Sequence, residues 1–270
     1  MGPYARMLAA AGARAAAKVP LLRAPLRIAY ERYFTRVVSA RARLFSGIYA
    51  DFKSAQLAIP KDRLAGFDNK LSVRRVADDV FRIYPMDYPV MFWLTRLLPD
   101  ARLLFDWGGN IGISYYAFRK HLRYPPDLTW LVAELPAVVE AGIEMARTQS
   151  APGLSFTASL ERLDEADILL SAGTLQFIEN PFEVLQGLKR LPRHILLNKL
   201  PVYSMPGAVT LQNMGPSLAP NHLFNKSEFI DHFAKLGYQK IDEWDTELSC
   251  HIPFFPEHSI PAYTGYYFAR

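Results

Sequence analysis

The sequence has a single cysteine, Cys250, so an intrachain disulfide is excluded and a cytoplasmic setting is expected. No apolar run approaches the roughly 18 residues that a membrane-spanning helix needs. Histidines and carboxylates nowhere recur at metal-ligand spacing, so no metal site is expected. Only 21% of the 270 residues are charged and 50% are hydrophobic, a composition that predicts a globular chain with a large core.

Acidic residues are nearly absent from the first 50 positions, where nine arginines and lysines accompany Glu31 alone. This segment therefore carries +8, and the remainder carries −3 of the total of +5. Basic and apolar residues alternate there at helical spacing, with breaks expected at Pro20 and Pro25. The pattern fits an ordinary solvated helix or a frayed terminus, and it also fits peripheral contact with an anionic membrane. An arginine-rich start is typical of organellar transit peptides as well.

Three segments are predicted along the chain: a basic, helical and mobile leader over 1–45, a helical lead-in over 46–100 that packs on the core, and a main domain over 101–270. Short apolar runs alternate with amphipathic stretches in the main domain, which predicts an α/β fold with a mainly parallel sheet. Strands are expected at 101–107, 128–134, 154–157, 166–173, 194–200, 238–244 and 263–270. Helices are expected at 88–99, 113–121, 136–148, 181–191 and 228–236.

A glycine-rich loop follows the first strand of the main domain, with the sequence DWGGNIG from Asp106 to Gly112. Ligands of open α/β sheets bind at the carboxyl ends of the strands, where such a loop lies. A dinucleotide fingerprint would need glycine at 110 and 113, and these positions are Asn110 and Ile113. A phosphate-binding P-loop would need a lysine in register after Gly112, and none is present.

The remaining pattern, acid-x-Gly-x-(Gly/Asn)-x-Gly, resembles motif I of class I S-adenosylmethionine-dependent methyltransferases. The resemblance implies that Asp106 reaches the amino end of the methionine moiety while Gly108, Gly109, Asn110 and Gly112 wrap it. Asn110 replaces the usual middle glycine and tolerates left-handed backbone geometry better than other residues. A glycine turn that merely joins a strand to a helix is the alternative.

Three later positions extend this resemblance in the order that the class requires. Glu134 ends the second strand, 28 residues after Asp106, where these enzymes place a carboxylate on the ribose hydroxyls. The acid-Leu-Pro run there resembles small-molecule O-methyltransferases. The stretch SAGTLQFIENP after the fourth strand resembles motif IV. The implied cofactor contacts are Leu135, Ser159, Leu160, Ser171, Ala172 and Gly173, with no aspartate at the usual adenine position.

Residues 44–270 as a whole resemble an uncharacterised bacterial family of class I methyltransferases whose genes often lie beside surface-polysaccharide biosynthesis genes. The resemblance implies a Rossmann-like fold with a seven-stranded sheet, helices on both faces and an N-terminal helical extension. It implies S-adenosylmethionine as cofactor, S-adenosylhomocysteine as product and a small-molecule or sugar hydroxyl as acceptor. His222 is the candidate base, because it lies in the insert between the fifth strand and the last predicted helix, where this class has its substrate loops. Gln176, Lys199 and Asn225 are candidate substrate contacts.

Two other functions stay open at this stage. A catalytically inactive, methyltransferase-like binding protein is compatible with Gln176 in place of the frequent histidine of motif IV. A nucleic-acid methyltransferase is supported by the basic leader alone, because the body is acidic and Glu179-Asn180-Pro181-Phe182 lacks the second proline of a base-methylation motif. We therefore expect no nucleic-acid partner.

Overall fold

The structure is a computed structural model that describes residues 20–38, 43–66 and 80–270. The chain folds into two compact units. The first unit contains the described residues within Met1–Gly66, together with Gly207–Leu223 and Cys250–Pro261. The second contains the described residues within Phe67–Pro206, together with Phe224–Ser249 and Ala262–Arg270. Both units are discontinuous in sequence, whereas the predicted segments met at positions 45 and 100.

The second unit is built on a seven-stranded sheet. Its strands are β3 (Leu103–Trp107), β4 (Thr129–Ala133), β5 (Leu154–Thr157), β6 (Ile168–Ala172), β7 (His194–Leu200), β11 (Gln239–Thr246) and β12 (Tyr263–Ala269). The spatial order is β11-β12-β7-β6-β3-β4-β5. The pairs among β3 to β7 are parallel, and β12 runs antiparallel to both of its neighbours. The order therefore reverses at β3 and β6, which is the switch point where open α/β sheets bind ligands.

Helices cover both faces of this sheet because its strands alternate between two apolar cores. One core joins Leu104, Trp130 and Leu170 to helices α3 (Tyr88–Leu97), α4 (Ile113–Phe118) and α5 (Pro136–Thr148). The other joins Leu103, Phe105 and Leu169 to helices α6 (Pro181–Gln186) and α7 (Lys226–Lys235). Neighbouring residues of a strand point to opposite faces, so the continuous apolar runs of β3 and β6 supply both cores.

The first unit contains helix α1 (Pro20–Arg36), strand β1 (Leu44–Tyr49), helix α2 (Phe52–Leu57), strand β2 (Leu64–Ala65) and strand β9 (Ala208–Asn213). Strand β10 (Ser217–Asn225) completes the order β1-β9-β10-β2. The last two residues of β10 belong to the second unit, where they pair with β8 (Val202–Tyr203). One face of the first unit's sheet buries Val209, Leu211 and Leu218 against Phe34 and Ala55.

Three secondary-structure expectations for this region were wrong. Residues 44–49 form a strand instead of the start of a helical lead-in, because they pair with β9 and helix α2 begins only after its N-cap, Asp51. Helix α1 continues through Pro25. Pro20 opens the helix, where its missing N–H is not needed, and packing of Tyr30 and Phe34 outweighs the one bond that Pro25 forgoes. The expected loop insert after β7 contains strands β8 to β10.

The part of the leader that precedes residue 20 lies outside the described residues. Among the helices that the structure describes, none combines the length and the apolar character needed to cross a bilayer.

Candidate functional site

The glycine-rich loop leaves β3 at the switch point and turns into helix α4. Gly108, Asn110 and Gly112 all have left-handed backbones, with φ of 77°, 55° and 89°. Glycine adopts this region freely, and asparagine is one of the few other residues that enter it often. Gly112 is the N-cap of α4. The sequence prediction of the loop, including the tolerance of Asn110 at the middle position, is therefore confirmed as backbone geometry.

Two of the loop glycines are required by close packing. A Cβ atom on Gly109 would collide with the carboxylate of Asp106, and a Cβ on Gly108 would collide with the side chain of Thr174. Thr174 in turn donates a hydrogen bond of 3.1 Å from Oγ1 to the carbonyl of Gly108. The loop backbone thus passes directly over the end of β3 and is fixed against the segment that follows β6.

Asp106 is fully buried at the end of β3. Its Oδ2 accepts a hydrogen bond of 3.0 Å from the indole nitrogen of Trp130, and its Oδ1 is buried with no hydrogen-bond partner in the protein. Burial raises the pKa of this carboxyl to about 7, and the Trp130 bond opposes the shift. A buried carboxylate oxygen without a donor is costly, so the geometry suits a cationic donor supplied by a ligand.

Glu134, at the end of β4, holds the loop from the neighbouring strand. Its two carboxylate oxygens accept hydrogen bonds from the backbone N–H groups of Asn110 (3.1 Å) and Leu135 (3.0 Å). Burial raises the pKa of Glu134, while these two N–H donors lower it. Each carboxylate oxygen has a second lone-pair site, so the side chain retains capacity for two further donors such as a pair of hydroxyls.

These residues fit an S-adenosylmethionine molecule by two independent features. The unpartnered Oδ1 of Asp106 fits the ammonium group of the methionine part. The positive-φ loop, which excludes side chains at 108 and 109, provides the close backbone approach that a wrapped methionine needs. Asp106, Glu134 and the loop would hold the cofactor.

The adenine-side prediction has less support. Ser159 forms a local turn in which its N–H donates to Oγ1 of Thr157 (3.0 Å) and its Oγ accepts from the N–H of Glu161 (3.1 Å). The N–H of Ser159 and one acceptor site of its hydroxyl are therefore used within the chain, and the adenine role of Ser159 and Leu160 stays a prediction.

The segment after β6 carries residues that the sequence assigned to cofactor or substrate. Ser171 is fully buried and donates from Oγ to the carbonyl of Trp107 (3.0 Å), which ties β6 to β3 and does not support a cofactor contact. Ala172 and Gly173 follow at the strand end, and Gly173 has φ of 78°. Gln176 is 4% exposed. Its Nε2 lies 3.5 Å from the carbonyl of Lys199, and its Oε1 is buried without a partner.

Lys199, near the end of β7, pairs with a carboxylate that sequence reasoning missed. Its Nζ lies 2.9 Å from Oδ1 of Asp87, and the side chains are 23% and 9% exposed. Asp87 belongs to a short 3₁₀ turn, Pro85–Asp87, and its Oδ2 accepts from the backbone N–H of Tyr84 (3.1 Å). No local feature of the sequence identifies Asp87 as the partner of Lys199.

A second missed residue, Asn198, positions this ion pair. Asn198 is fully buried, and its Nδ2 donates to the carbonyl of Met86 (2.9 Å). Its Oδ1 accepts from the indole nitrogen of Trp244 (3.0 Å) and from the N–H of Lys199 (3.1 Å). The last bond fixes Lys199 in a left-handed backbone with φ of 63°, a strained state for a lysine.

The candidate base His222 and the candidate substrate contact Asn225 lie on strand β10, in different units. His222 lies in the first unit, within β10 instead of a loop, and its ring centroid is 5.2 Å from that of Phe52. Asn225 is the N-cap of α7: its Oδ1 accepts from the N–H of Glu228 (3.0 Å), and its Nδ2 donates to the carbonyl of Met205 (2.9 Å). The Asn225 side chain is thus engaged in capping, and its role as a substrate contact stays a prediction. Among the described residues, no group of three or more His, Cys, Asp or Glu side chains forms a candidate metal site.

Comparison with known proteins gives structural matches alone. No family model and no curated protein matches the sequence. An S-adenosylmethionine-dependent methyltransferase from Mesorhizobium loti is 14% identical, with coverage of 68% of this chain and 98% of that one and a TM-score of 0.47. A Burkholderia thailandensis 1,6-didemethyltoxoflavin N1-methyltransferase, solved with 1,6-didemethyltoxoflavin and S-adenosylhomocysteine, is 16% identical, with coverage of 78% of this chain and 93% of that one and a TM-score of 0.45. The N-terminal domain of EvdMO1, solved with S-adenosylhomocysteine and D-fucose, is 12% identical, with coverage of 78% of this chain and 100% of that one and a TM-score of 0.46.

The strand order itself decides the fold class. Strands β5-β4-β3-β6-β7 reproduce the 3-2-1-4-5 order of a Rossmann-like sheet, extended by β12 and β11. The predicted α/β Rossmann-like fold with a mainly parallel seven-stranded sheet is confirmed.

Proposed function

We propose that the protein is an S-adenosylmethionine-dependent methyltransferase that acts on a hydroxyl group of a small molecule, such as a sugar. The observation that carries the proposal is Asp106, a buried carboxylate with one unpartnered oxygen beneath a left-handed glycine loop. Neither a dinucleotide nor a P-loop register explains that loop.

The roles follow from the positions of the side chains. Asp106 accepts the ammonium group of the methionine part, and Glu134 accepts the two ribose hydroxyls while holding Asn110. The cofactor, when bound, supplies a methyl carbon on a sulfonium. An acceptor hydroxyl would take that methyl group, and S-adenosylhomocysteine and a proton would be released. The protein contributes alignment of the acceptor with the methyl carbon.

A second candidate is a methyltransferase-like protein that binds the cofactor without turnover. Gln176 favours it, because an amide in place of histidine cannot take a proton from the acceptor.

A place in surface-polysaccharide biosynthesis rests on the family resemblance, and a cytoplasmic location rests on the single cysteine.

The experiment is a transfer assay with S-adenosylmethionine labelled at its methyl group and a panel of hydroxylated metabolites and sugars. We expect labelled product with the wild type and none with Asp106→Ala. Binding of S-adenosylhomocysteine without transfer to any acceptor would favour the second candidate. Label transfer that Asp106→Ala leaves unchanged would contradict the assigned cofactor site.

A further inference from the structure

Gln176 has a buried amide oxygen that the protein does not use. Its Nε2 faces the Lys199 carbonyl at 3.5 Å, which directs Oε1 away from that strand end. Oε1 is buried and accepts no hydrogen bond. An unsatisfied buried acceptor costs free energy that a leucine or methionine would not, so the position is explained best by a donor that arrives with a ligand.

The side chains of Lys199 and Asp87 form an ion pair at the strand end whose backbone carbonyl faces the Gln176 amide. Asp87 is held on its other oxygen by the Tyr84 N–H, so both carboxylate oxygens are engaged. A lysine ammonium has three N–H donors, and Asp87 takes one of them. With 23% of its side chain exposed, Lys199 can offer the remaining donors to a small molecule.

Gln176 and Lys199 both lie next to the residues that are assigned to the cofactor. Thr174, two residues before Gln176, is bonded to the Gly108 carbonyl. Burial raises the pKa of Asp106, and the nearby charge of Lys199 acts against that rise. The segment that carries Gln176, the strand end that carries Lys199 and the glycine loop therefore meet at the ends of β3, β6 and β7.

We propose that Gln176 and the Lys199–Asp87 pair form the acceptor subsite and that they select an uncharged hydroxyl compound. This inference rests on the proposed function and narrows its substrate class. A hydroxyl donates its proton to Gln176 Oε1 and accepts from Lys199 Nζ, so it satisfies both groups. Its second lone pair stays free for the methyl carbon.

The charge of the subsite accounts for the selection. Lys199 and Asp87 neutralise each other, so a net charge on the acceptor finds no counter-ion. A carboxylate that approaches Lys199 also comes close to the like charge of Asp87. An ammonium group that approaches Asp87 also comes close to the like charge of Lys199. In a nearly buried site such like-charge contacts are expensive.

The test uses three probes that share the same sugar ring and differ in charge: D-glucose, D-glucuronate and D-glucosamine. Each is titrated calorimetrically at pH 7 into protein saturated with S-adenosylhomocysteine. We expect glucose to bind and each charged sugar to bind about tenfold more weakly. Asp87→Asn leaves the subsite positive and should reverse the order of glucose and glucuronate. Lys199→Met leaves it negative and should favour glucosamine over glucose. Lys189→Met, an exposed lysine, is the control and should keep the wild-type order.

Equal binding of the three sugars, no sugar binding, or an order that neither variant alters would overturn the proposal. Failure of the proposed function is distinguishable, because it would appear as no binding of S-adenosylhomocysteine, or as its binding without label transfer, whatever the order of the three sugars. A stability measurement checks Gln176 independently of any acceptor. Gln176→Met removes the unsatisfied oxygen, so we expect an unchanged or higher Tm, unchanged S-adenosylhomocysteine affinity and loss of glucose binding. A lower Tm with retained glucose binding would assign Gln176 a structural role.

Helix α1 presents an independent surface. Its inner face packs Tyr30 and Phe34 into the first unit. The residues 28, 32 and 36 lie one turn apart on the opposite face, where Ile28 is 51% exposed and Arg32 and Arg36 are exposed. The one acid of the helix, Glu31, is paired with Arg27 at 2.8 Å.

We infer that the stripe of Ile28, Arg32 and Arg36 binds anionic phospholipid surfaces peripherally. An exposed aliphatic side chain flanked by arginines, with the nearby acid neutralised, complements a negatively charged bilayer surface. The stripe therefore gives a specific site for the membrane contact expected from the basic leader.

Co-sedimentation with phosphatidylcholine vesicles, with and without phosphatidylglycerol, tests this surface. We expect binding to the anionic vesicles alone, and about a tenfold loss in the double variant Arg32→Glu/Arg36→Glu. Lys53→Glu/Lys61→Glu reverses two exposed lysines of the first unit and should bind like the wild type. Equal loss in both double variants would show a dependence on net charge alone, and absence of binding to anionic vesicles would refute the site.

Discussion

The indole nitrogen of Trp130 donates a 3.0 Å hydrogen bond to Oδ2 of Asp106, the residue that pairs with Val132 on the neighbouring strand. This bond uses one oxygen of a fully buried carboxylate and leaves the other without a protein partner. The arrangement orients Asp106 while keeping half of its hydrogen-bonding capacity for a ligand. It also leaves the unliganded protein with a carboxyl that burial makes difficult to ionise.

The pH dependence of stability should reveal this carboxyl. Its pKa of about 7 in the folded protein lies above its ordinary value of 3.8, so the folded state binds the proton more tightly. Stability from Asp106 is thus complete below about pH 4 and is lost as pH rises through 7, by on the order of 4 kcal/mol. Asp106→Asn does not ionise. In thermal melts we expect the Tm of Asp106→Asn minus the Tm of the wild type to increase between pH 4 and pH 7.5. A Tm difference that is constant over this range would contradict the raised pKa of Asp106.

Gly109 should not tolerate a side chain. Gly109→Ala places a methyl group against the Asp106 carboxylate, so we expect a lower Tm and at least about a tenfold loss of S-adenosylhomocysteine affinity. Gly187→Ala is the matched control, because its Cβ would meet the nearest atom at 3.4 Å, an ordinary contact. Calorimetry measures the S-adenosylhomocysteine affinity of the two variants, and thermal melts measure their Tm. Equal affinity and equal Tm in the two variants would refute the close approach of Gly109 to Asp106.

Glu134 should act on the loop and the ligand together. Glu134→Ala removes the acceptor for the Asn110 and Leu135 N–H groups and for the ribose hydroxyls. We expect about a hundredfold weaker S-adenosylhomocysteine binding and a small decrease in Tm, since hydrogen bonds to charged groups contribute roughly 1.5–3 kcal/mol each. Glu140→Ala, an exposed change on α5, serves as the reference. Affinity within about twofold of the reference would exclude Glu134 from the site.

Asn225 should behave as a helix cap. Asn225→Ala removes the acceptor for the Glu228 N–H and should destabilise the protein by about 1 kcal/mol. Asn225→Asp retains the capping oxygen and should restore most of that loss. Urea unfolding measures both variants. A stable Asn225→Ala protein would mean that the capping contact contributes nothing.

Local patterns were sufficient for most of the second unit. Helix α5 and strands β5 and β7 have the predicted bounds, because their apolar spacing and flanking prolines and glycines act within a few residues. The glycine loop and Glu134 were predicted for the same reason: each is fixed by its place at a strand end. The roles of these residues in cofactor binding stay predictions until they are measured.

Long-range contacts account for what the sequence did not predict. Strand β10 buries Ser217 and Asn221, so its polar residues conceal the apolar alternation by which strands are identified. Asp87 meets Lys199 only through the fold, and neither residue has a local feature that identifies its partner. His222 was assigned to a loop because the strands around it were missed.

Calorimetric titration of S-adenosylhomocysteine at pH 6 and pH 8 tests the cofactor site most directly. The account predicts saturable 1:1 binding that is tighter at pH 8, because Asp106 with a pKa of about 7 must ionise to accept the ammonium group. In Asp106→Asn the affinity should be lower and independent of pH over this range. Absence of binding heat and of a thermal shift in the wild type, or equal affinity of wild type and Asp106→Asn at pH 8, would contradict it.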